Sequence, residues 1–210
     1  MPRLVLLGDS ILDNAPYVTP EPDTAGRLGE LLGSAWTVEL LAVDGATTAE
    51  VEIQLRRLDG DVDHAILSVG GNDSIAHIEM LGRSASSFAE VLHELTRLQS
   101  WFADRYDPVV RAVQARAARL SLCTIYEPPL ADPHLAKLAR IPLTVFNDCI
   151  LRTAARRGLD VVDLRTYCTS EDDFVFEIEP SPQGAQKIAE AISDVVAAAP
   201  CASAGRVFAR

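Results

Sequence analysis

The stretch RLVLLGDSILDN, residues 3–14, sets the organisation of the chain. Its first half is a short apolar run, typical of a strand that is buried on both faces. Gly8, Asp9 and Ser10 end that run with one residue of wide backbone freedom and two small polar side chains. The stretch therefore predicts a central strand that brings polar groups to one edge of a sheet.

The rest of the chain alternates between strand and helix patterns. Apolar runs predict four further strands, at residues 36–43, 63–71, 119–127 and 160–164. Helical spacing predicts helices at residues 23–33, 47–58, 142–158 and from Pro182 onward, and a long helix with the apolar face Phe88, Val91, Leu92, Leu95 and Leu98. Such alternation favours an α/β fold with a parallel sheet covered on both faces. We predict five parallel strands, a single domain over residues 1–199 and a C-terminal tail at residues 200–210.

Composition and charge exclude several classes of protein. The chain has 210 residues and a net charge of -11, which leaves no basic surface for nucleic acid or an anionic membrane. No apolar stretch is long enough to span a bilayer, and the N-terminal apolar run is too short for a secretory signal. Four cysteines without CxxC spacing favour reduced thiols in the cytoplasm rather than metal ligands. The oligomeric state does not follow from the sequence.

The predicted sheet also predicts where a ligand binds, since ligands of such sheets lie beyond the carboxyl ends of the strands. The segments that follow the first three strands are GDSILDN, DGATT and GGNDS, and each combines glycine with small polar residues. None of them is a GxGxxG or GxxxxGK[ST] nucleotide motif. Ser10 instead offers a nucleophile, and the Ser10 and Gly45 N–H groups with the Asn72 side-chain amide offer three donors for an oxyanion.

At these segments the chain resembles the SGNH or GDSL hydrolases. The sequence GDS at residues 8–10 is similar to the nucleophile block of that family, Gly45 to its oxyanion glycine, and GGND at residues 70–73 to its asparagine block. All three follow the expected strands in the expected order. The resemblance implies a flavodoxin-like three-layer α/β/α sandwich and a serine esterase or acylhydrolase without a metal or other cofactor. Its substrate would be a small ester or acyl compound.

The fourth block of the family departs from the pattern. The family places Asp and His three residues apart before the last helix, commonly as DxxHPS, whereas this chain has FEIEPS at residues 176–181. Glu179 therefore occupies the position of the histidine and Phe176 that of the aspartate. Glutamate is a weaker base than imidazole, with a reference pKa of about 4.3 against about 6.5. We expect Glu179 to be partly desolvated by Phe176 and Ile178, and its pKa to be raised.

The identity of the base stays open at this point. Glu179 either accepts the Ser10 proton or is only a negative charge at the entrance to the last helix. His134, in the loop after the fourth strand, and His77, shortly after GGND, are the alternative bases.

Four further polar residues near the predicted site are candidates for supporting roles. We expect Asp9 to orient its loop, and Asp13 and Asn14 either to cap the next segment or to line the pocket. We expect Asp73 to hold the GGND turn by hydrogen bonds to its own backbone.

Two functions are consistent with these residues. The first is a serine ester hydrolase that works through an acyl-serine with an unusual base. The second is a weak or inactive relative that binds a small acylated or sugar-like ligand in the same crevice. The position of the Glu179 carboxyl relative to Ser10 distinguishes them.

Overall fold

A computed structural model describes residues 1–199 and 204–210. The strands are β1 (Arg3–Gly8), β2 (Thr37–Leu40), β3 (Val62–Ser68), β4 (Ala117–Cys123), β5 (Asp160–Val162), β6 (Phe174–Val175), β7 (Glu179–Pro180) and β8 (Val207–Phe208). The helices are α1 (Ala15–Val18), α2 (Thr24–Leu32), α3 (Val51–Arg56), α4 (Gly71–Ile75), α5 (Phe88–Gln114), α6 (Pro133–Arg157) and α7 (Pro182–Ala197).

Six strands form one parallel sheet in the order β2-β1-β3-β4-β5-β8, and β6 and β7 form a separate antiparallel hairpin. The strand order reverses at β1, so the crevice between the ends of β1 and β3 is the topological switch point. The register pairs Gly8 with Ser68, so the two strands end side by side. The loops that follow β1 and β3 therefore emerge at the same place.

The sixth strand was not predicted from the sequence. Val207 and Phe208 lie in the stretch predicted to be a tail, yet they pair with Val161 and Val162 at the edge of the sheet. A two-residue strand is too short to produce a periodic signal, which explains the difference. Residues 200–203 of the predicted tail lie outside the described part of the chain.

Helices cover both faces of the sheet and form two cores. One core joins the sheet to α3, α5 and α6 through residues that include Leu67, Phe102 and Phe146. The other joins it to α2 and α7 through residues that include Leu28, Ile66 and Ile188. Three layers result, with the strand ends left free at the edge where the predicted site lies.

Gly8 is required at the end of β1 because the two central strands meet closely there. Its φ is 132°, and a Cβ at this position would lie 1.7 Å from the Ser68 carbonyl oxygen. No other residue type fits this backbone without displacing β3. The glycine thus fixes the point at which Asp9 and Ser10 leave the sheet.

Candidate active site

Ser10 lies in a tight turn directly beyond β1. The Asp9 N–H donates to the Ser68 carbonyl at 3.1 Å, and the N–H groups of Leu12 and Asp13 donate back to the Asp9 carbonyl. These bonds hold the turn while the Ser10 N–H makes no hydrogen bond within the described residues. The Ser10 side chain is largely buried and lies on the wall of a cavity.

Asn72, beyond β3, contacts the turn beyond β2 that contains Gly45, although Gly45 itself is not on the cavity wall. Gly45 has a φ of 78° in an exposed turn, and its N–H has no partner in the part of the chain that is described. The Asn72 amide nitrogen donates to the Ala46 carbonyl at 2.9 Å, which uses one of its two N–H hydrogens. Asn72 and Ser10 line the same cavity, so Asn72 connects the Gly45 turn to Ser10.

Two buried or half-buried carboxylates tie the three loops together. Asp73 accepts from the Thr48 N–H at 2.9 Å and from the Thr48 hydroxyl at 2.7 Å. Asp13 accepts from the Asp44 N–H at 2.9 Å. The expectation that Asp73 bonds its own turn is therefore wrong, because its side chain bridges to the loop after β2 instead. These bonds fix the Gly45 turn from both sides.

Glu179 lies in the short strand β7, and its backbone is held on both sides. The Ile178 carbonyl accepts from the Tyr126 hydroxyl at 2.7 Å, and the Pro180 carbonyl accepts from the Asn14 amide at 3.3 Å. Among the described residues, Asn14 makes no side-chain cap to α1 and does not line the cavity; it accepts from the Thr24 N–H at the start of α2 and also reaches the hairpin. Glu179 is therefore fixed by groups from the loops after β1 and β4.

The Glu179 carboxyl faces the cavity beside Ser10. Its side chain lines the cavity and only 9% of the residue is exposed. Burial raises the pKa of Glu179, hydrogen bonding from the Ser10 hydroxyl lowers it, and the Asp44 charge raises it further. Oε2 of this carboxyl is buried and has no hydrogen-bond partner in the described residues.

Contrary to expectation, the Phe176 side chain does not help to bury Glu179. Its φ is 48° and that of Glu177 is 70°, so two successive left-handed residues turn the chain sharply. This turn leaves Phe176 78% exposed, with its ring edge-on to Tyr17 at a centroid distance of 6.2 Å. Ile178, in contrast, lines the cavity as expected. The Glu177 carboxylate points away to accept from the Ala131 N–H.

Asp9 is the most deeply buried carboxyl of the site, with 1% of the residue exposed. Its Oδ1 accepts from the Ile11 N–H at 3.2 Å, which orients the loop as expected. Its Oδ2 is buried without a partner among the described residues, and Asp9 lines the cavity with Ser10 and Glu179. Burial raises the pKa of Asp9 to about 8, and the charges of Glu179 and Asp73 contribute in the same direction.

The two alternative bases occupy different positions. His134 is exposed in the first turn of α6 and is not on the cavity wall. His77 is on that wall, with its ring edge-on to Trp101 at a centroid distance of 4.5 Å. Of the two, only His77 is brought to the same cavity as Ser10.

The cavity beside Ser10 is lined mainly by apolar side chains and has a volume of about 270 Å³. They come from the segment after α4, from the loop after β4 and from α6, and include Ile75, Ile78, Met80, Leu130, Ala139 and Leu143. No local sequence pattern predicts this wall, because its segments are far apart in the chain. The arrangement can hold an apolar group next to a hydroxyl, a carboxylate and free N–H donors.

Across residues 1–199 and 204–210, no group of three or more His, Cys, Asp or Glu side chains is placed to hold a metal ion. Cys123, Cys149 and Cys168 are free and buried, and Cys201 lies outside the described residues. No helix within those ranges is long and apolar enough to cross a membrane.

Comparison with known proteins gives matches for both sequence and fold. The model of the GDSL-like lipase/acylhydrolase family matches residues 6–187. An extracellular lipase from Streptomyces rimosus is 16% identical, with a TM-score of 0.66 over 94% of this chain and 100% of that chain. A phospholipase A1 from Streptomyces albidoflavus is 17% identical, with a TM-score of 0.67 over 94% and 99%.

A third similar structure is an acetyl xylan esterase from Geobacillus stearothermophilus. It is 15% identical, with a TM-score of 0.64 over 96% of this chain and 97% of that chain. At these identities the three structures show a shared fold. The comparison with curated proteins found no match.

Proposed function

Because the chain belongs to the GDSL-like lipase/acylhydrolase family and is an ester hydrolase of that kind, we propose that it cleaves esters through Ser10 with Glu179 as the base. The observation that carries this proposal is the buried Glu179 carboxyl, which faces the cavity and interacts with the Ser10 hydroxyl. A carboxylate that served only as a negative charge at the start of α7 would be turned to solvent. This position therefore favours chemistry over the alternative of a binding protein without activity.

In the first half of the proposed reaction, the Ser10 oxygen attacks the ester carbonyl carbon while its proton passes to Glu179. The carbonyl oxygen becomes an oxyanion, and the N–H groups of Ser10 and Gly45 with the second N–H of Asn72 donate to it. The ester C–O bond then breaks, and Glu179 returns the proton to the leaving alcohol. An acyl-serine remains.

In the second half, water attacks the acyl-serine and Glu179 accepts a proton from that water. The carbonyl oxygen again becomes an oxyanion held by the same donors. The bond between the carbonyl carbon and the Ser10 oxygen then breaks, and the proton from Glu179 restores the Ser10 hydroxyl. The products are a carboxylic acid and the free enzyme.

A glutamate in this position needs a different kind of support from a histidine. A catalytic histidine needs a partner that fixes its tautomer and the orientation of its ring. A carboxylate has no tautomers, so Glu179 needs a fixed position but no partner that selects which atom carries the proton. The hydrogen bonds of Tyr126 and Asn14 to the carbonyls on either side of Glu179 supply that constraint. Burial then raises the pKa of Glu179 and makes it a stronger base.

The apolar cavity is the proposed site for the acyl group of the substrate. The cavity has a limited volume of about 270 Å³, and most of its wall is apolar. We therefore propose that the preferred substrates carry short or medium acyl chains rather than long ones. The alcohol part would leave through the open side of the crevice.

Labelling with a fluorophosphonate probe tests the proposed nucleophile. The labelled residue should be Ser10, and Ser10→Ala should abolish both labelling and hydrolysis of p-nitrophenyl esters with little change in Tm. Ser74 is the matched control, because it is the other serine on the cavity wall. Ser74→Ala should retain both probe labelling and ester hydrolysis. Labelling that persists in Ser10→Ala would contradict this function.

A further inference from the structure

We propose, on the basis of the function above, that Asp9 is a positioning residue that carries a proton while Glu179 is ionised. The two buried carboxyls then hold a single negative charge. The proposal assigns a role to the aspartate of the GDS segment that the reaction scheme does not use.

The two carboxyls each leave one buried oxygen without a donor. Asp9 Oδ2 and Glu179 Oε2 are both buried without partners in the described residues, and both side chains line the cavity with Ser10. Asp9 Oδ2 lies 3.7 Å from the place that a Cβ on Gly71 would occupy, so it faces the loop after β3. Two buried anions without donors would be very costly, and a proton on one carboxyl removes much of that cost.

The surroundings of the pair indicate which carboxyl holds the proton. The Ser10 hydroxyl stabilises the ionised form of Glu179, whereas Asp9 is more buried and accepts from backbone N–H groups of its own turn. The titratable groups around Asp9 are Glu179, Asp73, Cys123, Tyr126 and, on the cavity wall, His77. Burial and the two carboxylates hold the pKa of Asp9 at about 8, so Asp9 is neutral at lower pH.

A neutral Asp9 matters because the reaction develops negative charge next to it. An ionised Asp9 would repel the oxyanion that forms at Ser10. A like charge in the same cavity raises the energy of the transition state that forms the oxyanion, so ionisation of Asp9 should slow this step. Asp9 therefore keeps the site in the charge state in which Glu179 is the only anion beside Ser10.

The test is the pH dependence of kcat/KM for p-nitrophenyl butyrate. The wild type should rise with the ionisation of Glu179 and fall again as Asp9 ionises near pH 8. Asp9→Asn should keep the rising limb, lose the falling limb and retain about a third or more of the activity at neutral pH. A falling limb that persists in Asp9→Asn, or disappears in His77→Asn instead, would overturn the proposal.

Infrared difference spectra provide a second test that does not depend on activity. The wild type should lose a protonated-carboxyl band between about pH 6 and about pH 9, and Asp9→Asn should lack this change. In Glu179→Gln the same band should titrate at lower pH, because the neighbouring charge is gone. Absence of the band in the wild type would refute the protonated Asp9. Its presence in a protein without esterase activity would refute only the proposed hydrolysis.

Discussion

Replacement of Glu179 by glutamine tests the proposed base most directly. The substitution keeps the size and shape of the side chain and removes its basicity. General-base assistance contributes roughly 10²–10⁴-fold to such reactions, so kcat/KM should fall by about that factor. Residual activity should remain, because the substitution leaves the N–H groups of Ser10 and Gly45 and the Asn72 amide in place.

The structure also predicts that Glu179→Gln folds with stability close to that of the wild type. Burial raises the pKa of Glu179, so its contribution to stability is full below the unfolded pKa and is lost as the pH rises through the folded value. Glutamine avoids this loss at neutral pH. It also places an amide where Oε2 has no hydrogen-bond partner among residues 1–199 and 204–210, at a cost of about 1–3 kcal/mol. The two effects oppose each other, so unfolding would not explain a loss of activity.

The assay is kcat/KM for p-nitrophenyl butyrate from about pH 4 to about pH 9. The wild type should rise through an ionisation above the ordinary glutamate value of about 4.3, and Glu179→Gln should lack that limb. Glu177→Gln is the matched control, since Glu177 is exposed, two residues away and bonded to the Ala131 N–H. Full activity in Glu179→Gln together with loss of activity in His77→Asn would refute the assignment.

Four further outcomes follow from the same geometry. Asn72→Ala should lower kcat roughly 10²–10³-fold with little change in KM, because one donor to the oxyanion is lost; an effect on KM alone would contradict this role. Tyr126→Phe should lower kcat about tenfold and leave KM nearly unchanged, since one of the two hydrogen bonds beside Glu179 disappears. Asp9→Asn should raise Tm at about pH 8 and leave it unchanged at about pH 4, because the raised pKa of Asp9 makes wild-type stability fall over that interval. Ala139→Phe should fill part of the cavity, so that activity on octanoyl esters falls far more than activity on acetyl esters.

The strand ends could be predicted from the sequence because each is encoded locally. A short apolar run followed by glycine and small polar residues indicates both the strand and the loop beyond it. The parallel sheet then brings Ser10, Gly45 and Asn72 to one edge without further information. The segments after three strands were together enough to propose a nucleophile and its oxyanion donors, because the topology brings them to the same edge.

The parts that could not be predicted depend on contacts between distant segments. Asn14 and Pro180 are separated by 166 positions, and no local pattern indicates that they meet. The helical periodicity also predicted the apolar face of α5. It did not predict that the first turns of this face are exposed to solvent. Phe88, Val91 and Leu92 are exposed there, whereas Leu98 is buried. The face follows from the helical repeat, and its burial depends on what packs against it.

The two departures from the DxxHPS pattern of the family, at positions 176 and 179, are physically connected. An aspartate at 176 serves a histidine by accepting its ring N–H, and a glutamate at 179 has no such hydrogen to offer. A carboxylate at 176 directed towards Glu179 would instead add negative charge to a site that already contains Asp9 and Glu179, and would raise the pKa of the base further. The structure has an exposed phenylalanine there, on a backbone with a φ of 48° that turns it away from the cavity. With a carboxylate as the proposed base, a phenylalanine at 176 avoids an unfavourable charge, and the hydrogen bonds from Tyr126 and Asn14 would position Glu179 instead.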